Sequence, residues 1–350
     1  MTLIMKEIED TPDAIAATTA GSRDEADEAA SALKRSGSDR VFVVGNGSSY
    51  YVAMAGAYVS RDLTRGTSPL VIPMTAGEFA ASEKTLRPSD AIIAVSASGE
   101  YRGVVDAFDR HPSLLRIAIT QDSNSSLAAS GDFVVLGRGG TQNVPVSTKT
   151  VATTFVALSL ILLRMHDATS AQSADLEATA ERCADAIRNS EAAVQGIVES
   201  LDGCQHAFVF GSGSGFAASL EGALKLKEMA GLHAEAAEST EMATGPVTMV
   251  DRSTRCISLT AAANDPSMAV ASQVPSWGAT LTEIGARASS EAGQSISVPF
   301  PNSPSFAFPS LAVPLWMIAL ALADKRGMSP EHPAWRERYA QQGLNHVLGE

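Results

Sequence analysis

The sequence predicts a doubly wound α/β fold built as two similar lobes, and three observations carry that prediction. The chain has 350 residues, more than one compact domain commonly holds, so two domains are expected. Residues 41–57, VFVVGNGSSYYVAMAGA, align with residues 207–223, AFVFGSGSGFAASLEGA, at a constant offset of 166 with seven of seventeen positions identical. Self-similarity over such a stretch points to duplication of one folding unit. Each copy also reads as a short buried strand, a Gly/Ser-rich turn and a helix of small residues, which is how a doubly wound lobe begins.

In chain order, residues 1–37 are rich in Ala, Glu and Asp and are expected to form a helix or two. Residues 38–168 form the first lobe. Beyond the strand of the repeat, β-type runs occur at 69–73 (PLVIP), 91–95 (AIIAV), 115–119 (LRIAI) and 133–136 (FVVL). Segments able to form crossover helices separate them, so a five-stranded, mostly parallel, flavodoxin-like sheet flanked by helices follows. The polar stretch 169–200 has helical spacing and reads as a linking helix. The second lobe, 201–330, repeats the scheme with strands near 207–211, 256–260, 279–284 and 296–299, and 331–350 is a polar tail. The apolar runs 151–165 and 311–323 fall short of the roughly 20 residues a spanning helix needs. Both read as buried helices, and the N-terminus lacks the basic-then-apolar pattern of a signal peptide.

Composition narrows the partners. At 45% hydrophobic and 19% charged residues, disorder of the chain as a whole is excluded. A formal charge of -13 argues against nucleic acid, because neutralising phosphates needs clustered Lys and Arg. An anionic ligand would be held locally, by backbone N–H groups and hydroxyls. Cys183, Cys204 and Cys256 are odd in number and outside any C-x-x-C spacing. They indicate neither a disulfide framework nor a zinc site, and a reducing cytoplasm is expected.

Four constellations bear on chemistry. The turn Gly45-Asn-Gly-Ser-Ser49 joins a strand to a helix, and its N–H groups with the hydroxyls of Ser48 and Ser49 suit a phosphate or sugar hydroxyl; helix capping is the alternative. Its copy has Phe216 where the last glycine of a G-x-G-x-x-G fingerprint would stand, so a dinucleotide site is not expected. Val95-Ser-Ala-Ser-Gly-Glu100 follows another predicted strand and aims Ser96 and Ser98 at the same crevice. Pro145-Val-Ser-Thr-Lys149 adds Ser147 and Lys149 ahead of an apolar helix, where a cap and a snorkelling lysine are the alternative. Finally, Ser219–Glu228 reads SLEGALKLKE. At about 100° per residue, Glu221, Lys225 and Glu228 share roughly a 60° arc. They form either a solvated, i,i+4-paired face or an acid–base site.

VSASGE, STKT, EGALKLKEMAGLHAEA and the following TGP together resemble the tandem sugar-isomerase (SIS) domain family over residues 38–330. That family includes the isomerase domain of glutamine–fructose-6-phosphate aminotransferase, glucosamine-6-phosphate deaminases and phosphosugar isomerases. The resemblance implies that Ser48, Ser49, Ser96, Ser98 and Ser147 hold a sugar phosphate and that Glu228 is the proton-transferring base. Lys149, Glu221, Lys225 and Thr244 complete the expected binding set. Three departures stand out. The family's ring-opening histidine is replaced by Thr244, which cannot shuttle protons near neutrality as an imidazole does. Its C-terminal lysine is absent, leaving Asn345 and His346, so Schiff-base chemistry has no amine there. Ala97 and Tyr101 stand where the phosphate loop usually carries a polar residue and a threonine. His346 is the candidate replacement for the lost imidazole. The chain starts Met-Thr without a catalytic cysteine, and nitrogen transfer from glutamine is not expected. What is expected is an aldose–ketose isomerase or deaminase acting on an amino-sugar phosphate such as glucosamine 6-phosphate. It would need no metal or organic cofactor, act as a homodimer in the cytoplasm, and bind neither nucleic acid nor membrane. The alternative is a non-catalytic sugar-phosphate sensor.

Overall fold

The computed structural model describes residues 2–64, 69–140, 142, 144–285 and 294–333. The chain divides into two compact units, one comprising Asp13–Gln142 with Lys149–Glu177, the other the chain up to Pro12, the stretch 144–148 and Ala178–Pro333. We call them the first and second lobes. Three helices, not one or two, precede the first strand: α1 (Leu3–Glu9), α2 (Thr11–Gly21) and α3 (Arg23–Ser36).

In the first lobe β1 (Arg40–Val44), β2 (Leu70–Met74), β3 (Ala91–Val95), β4 (Leu115–Thr120) and β5 (Phe133–Leu136) form one sheet in the order β2-β1-β3-β4-β5. Every pairing is parallel. β3 is buried along its whole length, as a central strand covered on both faces must be. Helices α4 (Ser48–Thr64), α5 (Ala76–Ala81), α6 (Arg102–Asp109) and α7 (Ser126–Ser130) make the crossovers. The apolar run after Ser147 is α8 (Lys149–Met165), buried almost throughout and packed on α3 and α4.

Residues 169–200 carry three helices rather than one: α9 (Ser170–Glu177), α10 (Thr179–Glu191) and α11 (Val194–Leu201). The second lobe has β6 (His206–Gly211), β7 (His233–Glu238), β8 (Arg255–Leu259), β9 (Thr280–Gly285) and β10 (Gln294–Ser297), in the order β10-β9-β8-β6-β7. These pairings too are all parallel. Read from the other edge this is the strand order of the first lobe, so the duplication extends from the motif to the topology. The strand β7 was not expected. Its helices are α12 (Ser214–Ala230), α13 (Ser239–Met242), α14 (Ser267–Ala271) and α15 (Phe308–Lys325).

The stretch Pro304–Lys325 spans 22 residues and is long and apolar enough to cross a membrane by length and composition, more than the 311–323 run suggests; 89% of its apolar window is buried inside the protein. Within the second lobe α15 lies against α12, α10 and α11. Its burial explains the composition, since each Leu or Ile taken out of water contributes about 1.5–3 kcal/mol.

The two copies of the repeat share their reasons for glycine. Gly47 and Gly213 have φ of +53° and +55°, left-handed backbone that lets each strand turn at once into its helix. Nine residues on, a Cβ at Gly56 would stand 2.4 Å from Leu158 Cδ2, and one at Gly222 would stand 2.2 Å from Leu315 Cδ1. In each lobe the missing side chain admits the long apolar helix packed against it.

Candidate functional site

Strand order decides where a ligand belongs in an open α/β sheet: outside the carboxyl ends of the strands, where the order reverses. In the first lobe that point lies between β1 and β3, which are hydrogen-bonded neighbours. The turn carrying Ser48 and Ser49 leaves the end of β1, and the loop carrying Ser96 and Ser98 leaves the end of β3. The structure therefore brings these two pairs to one end of one sheet.

Local hydrogen bonds fix both loops. Asn46 Oδ1 accepts the N–H of Ala76 at 3.0 Å, tying the first turn to the start of α5. Ser96 Oγ accepts the N–H of Gly99 at 3.1 Å, and Ser98 Oγ accepts that of Glu100 at 3.2 Å. A hydroxyl that accepts a backbone N–H retains its own proton to donate. Gly99, at φ +70°, turns the loop, and a Cβ there would meet Ser125 Oγ at 2.1 Å. The Glu100 carboxylate accepts the N–H and hydroxyl of Ser126 at the start of α7. Lys149 is the first residue of α8, half-buried.

Ser147, Glu221, Lys225, Glu228 and Thr244 belong to the second lobe. α12 begins after the left-handed turn at Gly213 and stops at Gly231, again left-handed. The face carrying Glu221, Lys225 and Glu228 is not a solvated one. The side chains of Glu221 and Lys225 are 0% and 1% exposed, while that of Glu228 is 29% exposed. Lys225 Nζ lies 3.3 Å from Glu221 Oε1 and donates to Glu228 Oε2 at 2.8 Å. Glu221 Oε1 also accepts the indole N–H of Trp316 on α15 at 3.2 Å. Burial works against the Lys225 ammonium, but the two carboxylates outweigh it and hold the proton above the ordinary lysine range. The result is a buried cation between two acids, the second of which reaches the surface.

Thr244 is exposed, and its hydroxyl donates to the carbonyl of Glu241 at 2.7 Å. His346 and Asn345 lie outside the described residues. Among the described residues, no three or more His, Cys, Asp or Glu side chains are grouped so as to hold a metal ion. Sequence reasoning passed over two groups. Trp316 stands in an apolar run and carries no outward sign of a polar partner. Glu238, at the carboxyl end of β7, accepts from Ser212 Oγ at 3.0 Å, Thr240 N at 2.7 Å and Glu241 N at 3.3 Å. Burial raises its proton affinity, but the hydrogen bonds from Thr240, Ser212 and Glu241 outweigh that and hold the carboxyl below its usual range.

Comparison with known proteins agrees with this architecture. Glutamine–fructose-6-phosphate aminotransferase (isomerizing) of Pyrobaculum aerophilum is 29% identical over 342 residues, covering 94% of this chain and 56% of that protein. The chain thus spans about half the length of such relatives. Among solved structures, the C-terminal domain of glucosamine-fructose-6-phosphate aminotransferase from Francisella tularensis superposes with a TM-score of 0.83 at 20% identity, covering 94% of this chain and 98% of that one. Glucosamine-6-phosphate deaminase from Thermotoga maritima superposes with a TM-score of 0.75 at 22% identity, covering 95% and 98%. At such identities the two structures show the shared fold. The SIS domain model itself matches residues 36–164 and 200–281, one segment for each opening of the duplicated sheet, and on that match the chain belongs to the SIS domain family.

Proposed function

We propose that this protein binds a sugar phosphate and acts as an aldose–ketose isomerase or deaminase on an amino-sugar phosphate such as glucosamine 6-phosphate. The observation that carries the proposal is the ammonium of Lys225, buried between two carboxylates with only Glu228 reaching solvent. Desolvating a lysine and an acid is costly unless close pairing and hydrogen bonds offset it, and here that pairing holds Glu228 at the edge of the buried cluster. The hydroxyls of Ser48, Ser49, Ser96 and Ser98 at the first lobe's switch point, with Lys149, would hold the phosphate.

In the proposed step the Glu228 carboxylate takes the proton from C2 of the open-chain sugar. The C–H electron pair becomes the C1–C2 double bond of an enediol or enolamine as the C1 oxygen gains a proton from water. Return of the proton from Glu228 to C1, with loss to water of one proton from the C2 hydroxyl or amino group, gives the ketose, or the imine whose hydrolysis by water releases ammonia. The step needs neither metal nor organic cofactor. Buried Glu221 and Lys225 would orient Glu228. The names of these relatives, which concern fructose 6-phosphate and glucosamine 6-phosphate, support the substrate class. Three buried free cysteines suit a cytoplasmic setting. A homodimer is part of the proposal, checked by light scattering after gel filtration; a mass of one chain would count against it.

Glu228→Gln should reduce turnover of glucosamine 6-phosphate or fructose 6-phosphate by about 10²–10⁴-fold, the usual worth of a general base, with sugar-phosphate binding largely kept. NMR of the reaction mixture, followed for ammonia, interconversion and line broadening, measures both. Undiminished turnover would remove Glu228 as the base. One observation favours a second reading: an exposed threonine occupies the position of the family's ring-opening histidine. Binding of these sugars by the unaltered protein without any turnover would make it a sensor.

A further inference from the structure

The two helices that frame the buried cation approach each other unusually closely at one place. Gly222 faces Leu315, and a Cβ on Gly222 would stand 2.2 Å from Leu315 Cδ1 and 2.9 Å from its Cγ. The next residue of α15 is Trp316 and the preceding residue of α12 is Glu221. Close approach therefore places the indole where its N–H reaches the Glu221 carboxylate, at 3.2 Å and with both groups fully buried. A tryptophan in a dry helix interface needs a partner for its N–H. Here that partner is itself an ion bonded to the ammonium that holds Glu228.

The groups form a series. Trp316 donates to Glu221; Glu221 faces Lys225 at 3.3 Å; Lys225 donates to Glu228 at the shorter distance of 2.8 Å. Only the last member reaches the surface. The indole takes up part of the negative charge on Glu221, so that carboxylate draws less on the ammonium, and Lys225 is left to bond more closely to Glu228. Without the N–H, Glu221 would draw more strongly on Lys225. In a low-dielectric interior such hydrogen bonds polarise one another, and a change at one end is felt at the other.

We propose that Trp316 is a positioning residue for Glu228, acting through Glu221 and Lys225, with Gly222 setting the helix approach that makes the contact. This rests on the reading of Glu228 as the base, and the test separates the two. The indole N–H signal of Trp316 is identified in ¹H–¹⁵N spectra of the full chain as the one lost in Trp316→Phe, or by backbone assignment should that variant not fold. In Glu228→Gln, which alters a half-buried group with no bond to the indole, this signal should move further than that of Trp277. An unmoved Trp316 signal overturns the proposal, whether or not any sugar phosphate is turned over. Where turnover is measurable, folded Trp316→Phe, which keeps an aromatic ring and deletes only the N–H, should lower kcat by about tenfold with KM little changed, the pattern of a misplaced catalytic group. Unchanged kcat in that variant would leave Trp316 as packing alone and overturn the proposal as well.

Discussion

The two lobes share a strand order, a strand–turn–helix opening and glycines at matching places, yet they treat the hydroxyls at their strand ends oppositely. In the first, Ser96 and Ser98 each accept a backbone N–H and keep a proton to give. In the second, Ser212, in the turn after β6 that matches the Asn46 turn after β1, donates to Glu238, whose other oxygen accepts from Thr240 and Glu241. The hydroxyl of this turn is thus already committed to a carboxylate. Lobe two has instead placed charged groups along its first helix, at Glu221, Lys225 and Glu228. Duplication preserved the frame because packing demands it, and left the strand ends able to diverge because solvent-facing loops tolerate change.

The largest effect should come from what the lobes share. Gly56→Ala and Gly222→Ala each put a methyl group within 2.4 Å or less of a leucine on the neighbouring helix. Overpacking of this kind costs about 1–3 kcal/mol, and urea unfolding should show losses of similar size in both variants. A loss confined to one would mean that the two glycines are retained for different reasons.

The serines sharpen what the lobes do not share. Ser96→Ala with Ser98→Ala should weaken sugar-phosphate affinity by roughly tenfold or more, since each lost hydrogen bond to a charged group is worth about 1.5–3 kcal/mol before water replaces it. Ser212→Ala, which deletes a donor already committed to Glu238, should leave that affinity within about twofold, because the change is internal to the second turn. Isothermal titration with inorganic phosphate and with glucosamine 6-phosphate would compare them. Equal weakening by both changes would erase the distinction.

These differences mark how far the sequence is readable. Strands β1, β3, β4 and β6 are aliphatic or aromatic runs, and they stand where those runs lie. His233–Glu238, by contrast, holds an edge position with irregular exposure, its only buried residues being the alanines Ala234 and Ala237. Its pairing with β6 is what makes it a strand, and no local pattern announces that. Likewise the spacing of Glu221, Lys225 and Glu228 is legible as one helical face, but burial of that face depends on α15, whose Trp316 lies 95 positions from Glu221. The Ser48 and Ser96 loops were recognisable because glycine, hydroxyl and strand end coincide in sequence as they do in space. Glu238 was not, since nothing in His-Ala-Glu-Ala-Ala-Glu distinguishes the acid that will cap a turn.

The smallest effect concerns acid. Among the described residues, each lobe holds one histidine whose proton affinity is lowered. Burial lowers that of His166, helped by Lys34 and opposed by Asp167. Burial also lowers that of His206, helped by His233 across the strand pair and opposed by Glu235. His206 Nδ1 stands 2.6 Å from His233 Nδ1, close enough for one ring to donate to the other. In both cases the unfolded chain, with its ordinary value near 6.5, takes up protons before the folded one does. Stability is then full above that pH and declines as the pH falls from it toward the folded values, the direction required when the unfolded state binds more protons. Thermal melting between pH 7.5 and 5.5 should show the decline, and His233→Ala, which removes the second imidazole from β7, should flatten it, whereas a change at the first lobe's Ser60, bonded to His166 at 2.9 Å, should leave the β6–β7 contribution in place. If His233→Ala melts with the same pH dependence as the unaltered chain, the second imidazole contributes nothing to the acid limb and burial alone lowers the proton affinity of His206.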